Sequence, residues 1–318
     1  MTTPICIGSR GSQLALWQAN HVAAQLRTHG HAVEIEVIRT TGDRLQDQPG
    51  PQSGSQPDGK GIFIKEIEDA LAAGRIDLAV HSLKDLPTAL DPRFTLAAVP
   101  PRADARDAFV CEPYWALHTL PLNARIGTTS PRRRAQLLAL RPDLTFVELR
   151  GNVDTRLRKL VAGEADALVL AAAGLDRLAR TEWVHQRFAT DELCPAPGQG
   201  ALALETRSST HALGTEDSTR DPAIFQVIRA LNHAPTEFAV TAERITLDAL
   251  GGGCSLPIGV FCAPSANGGW RMLAQVLAPD GEQMVTVDTE ASPTTDPATL
   301  GLWVAEALKD KGALELLA

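Results

Sequence analysis

The segment C-I-G-S-R-G-S, residues 6–12, gives the plan of the chain, because R-I-G-T-T-S at residues 125–130 repeats it. In both places an apolar strand ends at a glycine, a polar turn follows, and a helix begins after the turn. The two helices also share a pattern, with Q-L-A-L at residues 13–16 and A-Q-L-L at residues 135–138. The chain is therefore predicted to contain two lobes that begin in the same way.

A second sequence unit is also used twice. Gly74-Arg75-Ile76-Asp77 leads into an apolar strand at residues 78–80, and Gly163-Glu164-Ala165-Asp166 leads into one at residues 167–171. Strands that alternate with helices predict a mainly parallel sheet in each lobe. Ligands of such sheets bind beyond the carboxyl ends of the strands, near helix N-termini. We therefore expect a binding cleft between the two lobes.

Proline-rich segments mark the predicted domain boundaries. Pro100-Pro101 and Pro195-Ala196-Pro197-Gly198-Gln199-Gly200 are interpreted as the two crossings between lobes. The predicted domains are residues 1–99 with 200–220, residues 100–199, and residues 221–318. The last is expected to be a small α+β domain that begins with a helix near residues 224–231. The polar stretch 42–61 is predicted to be a long mobile loop.

Composition limits the classes of protein that fit. The chain carries a formal charge of −8, and 44% of its residues are hydrophobic, yet no run is long enough to span a membrane. The five cysteines are scattered without a C-x-x-C pair, which argues against a disulfide framework and against a metal site. The first residues lack the pattern of a secretion signal. We expect a cytoplasmic protein that binds neither nucleic acid nor membrane.

The charge is unevenly distributed. Residues 125–180 contain 11 Arg and Lys against 6 Asp and Glu, a balance of +5, so the remainder carries −13. A basic region inside an acidic protein indicates a bound anion, although a solvated helix face would give the same pattern.

Polar residues follow predicted strands in both lobes. Lys84 and Asp85 come after the buried strand of the first lobe and offer a cation and a carboxylate, although Asp85 could also serve only as a cap. His81 is interpreted as a structural histidine. In the second lobe, hydroxyl and guanidinium groups at helix starts suit a carboxylate or phosphate. These second-lobe residues are Thr128, Thr129, Ser130, Arg132, Arg133, Arg150 and Arg156. No nucleotide-binding loop pattern is present.

Cys254 follows three glycines and precedes Pro257, which is an unusual setting for a core thiol. The backbone there can approach a bound group closely. An inert buried thiol is the alternative interpretation.

Taken together, these motifs resemble the porphobilinogen deaminase (hydroxymethylbilane synthase) family. The matching segments, in the family's order, are S-R-G-S-Q-L-A at 9–15, G-K-G-I-F-I-K-E at 59–66, A-V-H-S-L-K-D at 79–85, I-G-T-T-S at 126–130, L-R-G-N-V at 149–153, A-A-G-L at 172–175, P-G-Q-G-A at 197–201 and G-G-C at 252–254. Each segment is weak alone, whereas the ordered set covers nearly the whole chain and is specific.

The resemblance implies an α/β fold class with two similar periplasmic-binding-protein-like lobes, mainly parallel sheets around a cleft, and a small C-terminal α+β domain that carries the cofactor cysteine. It also implies a transferase of tetrapyrrole and haem biosynthesis. Such an enzyme condenses four porphobilinogen molecules head to tail into hydroxymethylbilane, with release of ammonia. A dipyrromethane cofactor, held by a thioether to Cys254, would serve as primer. The expected partners are porphobilinogen and the growing polypyrrole, bound by a monomer without a metal.

The resemblance assigns roles by position. Asp85 matches the catalytic aspartate, which would stabilise cationic intermediates and help to move protons. The implied cofactor-binding residues are Cys254, Lys84, Asp85, Ser82, Thr128, Thr129, Ser130, Arg132, Arg133, Arg150, Gly151 and Gln199. The implied substrate-binding residues are Arg10, Ser12, Arg150, Arg156, Arg177, Lys60, Phe63 and Lys65.

Two other functions fit the residues alone. A non-enzymatic two-lobed protein that binds a small anion would share the duplication, but it gives Cys254 no role. An enzyme of the same fold acting on another anionic substrate is the third hypothesis. The chain also departs from the family's pattern at Gly251 and Ser255, which affects the expected path of the cofactor loop.

Overall fold

A computed structural model describes residues 3–46, 64–112, 114–208, 220–253 and 255–317. The chain divides into two compact units. One comprises Met1–Pro101 with Leu202–His233, and the other comprises Arg102–Ala201 with Ala234–Ala318. Among the helices in the described ranges, none combines the length and the apolar character that a membrane crossing needs.

Strands and helices alternate along most of the chain. The strands are β1 (Ile5–Ser9), β2 (Val33–Val37), β3 (Leu78–Ser82), β4 (Phe94–Ala98), β5 (Asp107–Val110), β6 (Arg125–Gly127), β7 (Thr145–Val147), β8 (Ala167–Ala171), β9 (Val184–Arg187), β10 (Leu202–Arg207), β11 (Ile258–Pro264), β12 (Trp270–Leu277) and β13 (Met284–Ala291). The helices are α1 (Gln13–Thr28), α2 (Thr41–Gln46), α3 (Lys65–Ala72), α4 (Pro131–Leu140), α5 (Val153–Val161), α6 (Ala172–Arg177), α7 (Arg220–Arg229), α8 (Ala234–Ala249) and α9 (Pro297–Asp310).

The first unit contains a sheet with the strand order β2-β1-β3-β10-β4. β1 pairs in parallel with β2 and β3, whereas β10 is antiparallel to both β3 and β4. Four of its strands therefore run in one direction and only β10 is reversed. Ala19, Val22 and Leu26, at helical spacing on α1, are fully buried against this sheet, which explains why the helix forms there.

The second unit repeats this plan with the order β7-β6-β8-β5-β9. β6 is parallel to β7 and β8, and β5 is the single reversed strand. The mainly parallel sheets and the duplication predicted from sequence are confirmed. In each sheet the reversed strand is the one that the chain enters after a proline-rich crossing.

The second unit also contains the C-terminal α+β region. β11, β12 and β13 form an antiparallel meander, and α8 and α9 pack on one of its faces. Their shared core includes Val260, Ala274, Leu300 and Val304. This part of the fold class is confirmed as well.

Two features differ from the sequence predictions. α7 was assigned to the C-terminal domain, but its Ile224 and Ile228 lie in the core of the first unit, because its apolar face covers β4 and β10. The expected boundary at residue 221 therefore falls at His233 instead. Residues 42–46 were predicted to be loop but belong to α2, whose first turn is closed by hydrogen bonds between Thr40 and Asp43. The rest of the predicted loop, from residue 47 to 61, lies outside the described residues.

Candidate active site

In the first unit, predicted site residues meet at the carboxyl edge of the sheet. Because β1 and β3 are parallel neighbours, the segments that follow them leave the same edge. Arg10 and Ser12 follow β1, and Ser82, Lys84 and Asp85 end or follow β3. The structure thus places two segments that are far apart in sequence at one edge of the sheet.

Asp85 is presented to solvent by a short 3-10 turn, Leu83–Asp85. Leu83 and Leu86 on either side are buried, so the turn is anchored while the carboxylate stays exposed. Lys84 lies partly exposed beside it. An exposed carboxylate that follows a lysine in the chain offers one negative and one positive side chain to a substrate that has both an amine and carboxylates.

Ser12 and Ser82 are held by neighbouring groups. Ser12 caps α1, its Oγ accepting a hydrogen bond from the backbone N–H of Ala15 at 3.3 Å. Ser82 Oγ accepts from Gln18 Nε2 at 2.8 Å. Gln18 is buried on the apolar face of α1, and sequence reasoning missed it. Its signal was a polar residue at a core-facing helical position, between Ala15 and Val22.

His81 is a structural residue, as its sequence context indicated. Its ring is buried and its Nε2 lies 3.1 Å from Oε2 of Glu205, a residue of β10 that is also buried. Glu68 on α3 adds a carboxylate to the same region. Burial and the charge of Glu205 raise the pKa of Glu68 to about 7.

Arg10 has a partner that the sequence did not reveal. Its Nη2 lies 2.5 Å from Oδ1 of Asp43, and its Nε lies 3.0 Å from the same oxygen. Burial works to raise the pKa of Asp43, but hydrogen bonds from Arg10 and Thr40 outweigh it, and the pKa falls below its ordinary 3.8.

In the second unit, predicted hydroxyl and arginine residues lie at the carboxyl edge of the sheet. β6 and β7 are parallel neighbours, so Thr128, Thr129 and Ser130 after β6 share an edge with Arg150 and Gly151 after β7. The loop after β6 is ordered by its own hydroxyls. Ser130 N–H donates to Thr128 Oγ1 at 3.2 Å, and Ser130 caps α4.

The loop after β7 is held by a glycine and a cap. Gly151 has a φ of +118°, and a side chain there would collide with Thr155 in the first turn of α5. Asn152 caps that helix. Arg150 is exposed and pairs loosely with Glu148 at 3.4 Å, so its guanidinium is accessible to a ligand.

Arg132 and Arg133 lie in a different environment from the one expected. Both are buried, and both pair with Asp107 of β5, which has no exposed surface, at 2.8 and 2.7 Å. Burial works to raise the pKa of Asp107, but the two guanidiniums dominate and hold it far below its usual range. The two guanidiniums bind protein groups that include Asp107 and the carbonyl of Cys194, and the prediction that they bind ring carboxylates stays a prediction. Asp107 was missed by sequence reasoning.

Gln199, in the crossing segment, contacts Asp107, and Arg177 contacts the end of the same segment. Gln199 is buried, and its Nε2 donates to the carbonyl of Ala105 at 2.7 Å and to Asp107 at 3.1 Å. Arg177 donates to the carbonyl of Gly200 at 2.7 Å, and burial lowers the pKa of its guanidinium to about 10. Arg156 is half-buried on α5.

Of the remaining predicted residues, one lies in a described helix and three lie outside the described ranges. Lys65 is exposed at the start of α3. Cys254, Lys60 and Phe63 lie outside the described residues. The glycines before Cys254 are described. Gly251 has a φ of +68°, and a Cβ on Gly252 would lie 2.7 Å from the carbonyl oxygen of Leu247. The positive φ at Gly251 and the close approach at Gly252 both favour glycine at this exit from α8.

Comparisons with known proteins agree with the motifs. Residues 5–215 match the family model described as "Porphobilinogen deaminase, dipyromethane cofactor binding domain". Residues 237–310 match "Porphobilinogen deaminase, C-terminal domain". A porphobilinogen deaminase of a Roseiflexus species is 44% identical, with 100% of each chain covered. One from Sulfurimonas denitrificans is 42% identical over 98% of this chain and 96% of its own.

A solved structure of a putative methionine-binding lipoprotein from Bacillus subtilis aligns with a TM-score of 0.41 and 14% identity, over 71% of this chain and 90% of its own. With full-length identity above 40% and both family domains matched in order, the chain belongs to the porphobilinogen deaminase family.

Proposed function

We propose that this chain is a transferase that deaminates porphobilinogen and joins four molecules head to tail into hydroxymethylbilane in tetrapyrrole biosynthesis. The observation that carries the proposal is the family match across both domains, at 42–44% identity and nearly full length. It is supported by the exposed carboxylate of Asp85 beside Lys84 at the edge of the first sheet.

The residues present fit a dipyrromethane cofactor. Its carboxylates require cations and hydroxyl donors, and Thr128, Thr129, Ser130 and Arg150 supply both types at one sheet edge. Asp107 offsets one of the two charges on Arg132 and Arg133, so that the buried trio carries a net charge of +1. When bound, the dipyrromethane supplies the pyrrole carbon to which the first substrate ring is joined.

Cys254 is the proposed attachment residue. The tight exit from α8 at Gly251 and Gly252 supports this role, because it places a loop without side chains immediately before the thiol. A loop of this kind allows a planar group to lie close to the backbone.

Asp85 is the proposed catalytic residue. Loss of ammonia from porphobilinogen leaves a cation on the pyrrole ring, and an ionised carboxylate near the ring N–H stabilises it. At ~4 Å and an effective dielectric of ~20 the attraction is about 4 kcal/mol, which corresponds to a rate factor on the order of 10³. The same carboxylate is suited to accept and return the protons that the condensation displaces.

The proposed ligands of the other basic side chains at the site are the carboxylates of the substrate. Each porphobilinogen brings an acetate and a propionate, so negative charge accumulates as the chain grows. The proposed substrate-binding residues are Arg10, Ser12, Lys60, Phe63, Lys65, Arg150, Arg156 and Arg177, with Lys84, Ser82, Gly151 and Gln199 contacting the cofactor. Arginine suits this task because its fork pairs with a carboxylate through two hydrogen bonds.

We also propose that the enzyme is a cytoplasmic monomer with a thioether-linked cofactor. Scattered cysteines without a C-x-x-C pair support a reducing compartment.

Intact-protein mass and porphobilinogen consumption test the proposal together. Wild-type protein should carry the excess mass of a two-pyrrole unit, and Cys254→Ser should lack it. Asp85→Asn should retain that mass and lose turnover by roughly 10³-fold. Asp288→Asn, at an exposed ion pair on β13, is the matched control and should keep both properties.

The two competing functions give different results. A non-enzymatic anion binder would show the bare polypeptide mass and consume nothing. An enzyme for another anionic substrate would leave porphobilinogen untouched. Wild-type turnover by Asp85→Asn would remove the catalytic assignment.

A further inference from the structure

Arg10 and Asp43 form an ion pair at the carboxyl edge of the first sheet. The two hydrogen bonds run from Nε and Nη2 of Arg10 to a single oxygen, Oδ1 of Asp43. Each side chain keeps about a quarter of its surface exposed, at 25% for Arg10 and 21% for Asp43. The pair is therefore neither a loose surface contact nor part of the core.

The second oxygen of Asp43 is fixed by the start of α2. Thr40, which is buried, donates to Oδ2 of Asp43 from its hydroxyl at 2.7 Å and from its backbone N–H at 3.2 Å. The N–H of Asp43 donates back to the Thr40 hydroxyl oxygen at 3.2 Å. This reciprocal cap leaves the carboxylate little freedom to rotate.

The two carboxylate oxygens of Asp43 therefore bind different partners. Oδ2 is held by Thr40, and Oδ1 holds Arg10. Since the pKa of Asp43 lies below its ordinary value, the carboxylate stays ionised at neutral pH and the pair persists there.

We propose that Asp43 is a positioning residue, which orients the Arg10 guanidinium for a carboxylate of porphobilinogen. The inference rests on the proposed function, in which Arg10 binds substrate. A long arginine side chain loses rotational freedom when it binds a ligand, and a partner that fixes it beforehand removes part of that loss. The contact is made through Nε and Nη2, so a carboxylate ligand would meet a guanidinium of defined plane.

A double-mutant cycle on the holoenzyme tests this role. Asp43→Asn, Arg10→Gln and the double variant are each checked by intact mass for the cofactor before steady-state kinetics. Asp43→Asn should raise KM for porphobilinogen by about five- to tenfold and change kcat by less than about twofold. In the Arg10→Gln background the same change should have little further effect, because its target is gone.

Thr41→Val is the matched control. Thr41 lies in α2 next to the cap, and its hydroxyl donates to Glu66 on α3 rather than to the Arg10 pair. This variant should loosen the same helix without raising KM. Asp43→Glu keeps a carboxylate and should recover part of the lost affinity.

Different results would contradict the positioning role of Asp43 and the proposed function of the enzyme. Effects of Asp43→Asn and Arg10→Gln that multiply in the double variant would overturn the positioning role. So would a rise in KM for Thr41→Val equal to that of Asp43→Asn. Wild-type protein that leaves porphobilinogen unconsumed would overturn the proposed function, and this inference with it.

Discussion

Asp107 is a single buried carboxylate that balances two arginines. Oδ2 accepts from Arg132 at 2.8 Å, and Oδ1 accepts from Arg133 at 2.7 Å. A buried ion pair adds little net stability, but removal of one partner is costly, because the other charge is left without compensation. At the scale of single residues, loss of the charge of Asp107 should therefore be strongly destabilising.

Asp107→Asn should destabilise the protein by about 3–5 kcal/mol, because two buried guanidiniums lose their counter-charge. Urea unfolding followed by circular dichroism measures the shift. Asp288→Asn, which breaks the exposed pair with Arg271, should cost less than about 1 kcal/mol. Equal effects of the two variants would contradict the interpretation.

Glu68 should make stability depend on pH. Its pKa is raised from 4.5 to about 7 in the folded protein, so the folded state binds the proton more tightly than the unfolded state. Its contribution to stability is then fully present below the unfolded value, and falls as pH rises towards 7. Glu68→Gln should be less sensitive to pH than the wild type when thermal midpoints are compared across this range. Identical pH dependence in the two proteins would rule the effect out.

At the scale of elements, the turn after α8 depends on one glycine. A Cβ on Gly252 would meet both the side chain and the carbonyl oxygen of Leu247, so the backbone would have to move. The last turn of α8 and the residues that lead to Cys254 would then separate.

Gly252→Ala should reduce the fraction of protein that carries the cofactor mass, because it displaces the segment that leads to the attachment cysteine. Intact-protein mass measures this fraction. Gly268→Ala is the control, since Gly268 has a φ of +80° but open space around it. It should cost about 1 kcal/mol of stability and leave the cofactor fraction unchanged. Full loading of Gly252→Ala would show that the turn tolerates a side chain.

At the scale of the second unit as a whole, Glu243 joins segments that are distant in sequence. Its carboxylate pairs with Arg102 at 2.6 Å and accepts the N–H groups of Gly198 at 2.7 Å and Cys262 at 2.8 Å. The residue after Pro101, the crossing at 195–200 and the C-terminal sheet thus share one buried acid of α8. The arrangement links the C-terminal region to the second lobe within one compact unit.

Glu243→Gln should lower the unfolding midpoint of the protein, by the equivalent of about 3 kcal/mol, since Arg102 loses its charged partner in a buried site. Thermal unfolding measures it. Glu306→Gln removes an exposed partner of Lys309 on α9 and should change the midpoint little. A midpoint for Glu243→Gln equal to that of the wild type would exclude the linking role.

The local sequence pattern was enough to predict much of the fold. The repeat between residues 6–12 and 125–130 predicted the duplicated lobes, and alternating strands and helices predicted mainly parallel sheets. Both follow from chemistry between near neighbours in sequence, namely apolar periodicity, glycine turns and helix caps. The position of Asp85 just after a buried strand could be predicted for the same reason.

Ion-pair partners that are distant in sequence could not be predicted from the local pattern. Nothing near Asp107 in sequence indicates Arg132 and Arg133, and nothing near Arg10 indicates Asp43, because each pair is closed only when strands and helices assemble. The assignment of α7 failed for a similar reason, since an apolar helix face does not say which sheet it will cover.

The amino-acid sequence by itself determined the family, the order of elements and the residues that can carry charge or act as a nucleophile. The tertiary structure alone decided which of those charges are matched by a buried partner and which remain exposed at a sheet edge. The physical reason is that an ion pair depends on distance and burial, and both are set by packing between segments that the sequence keeps apart.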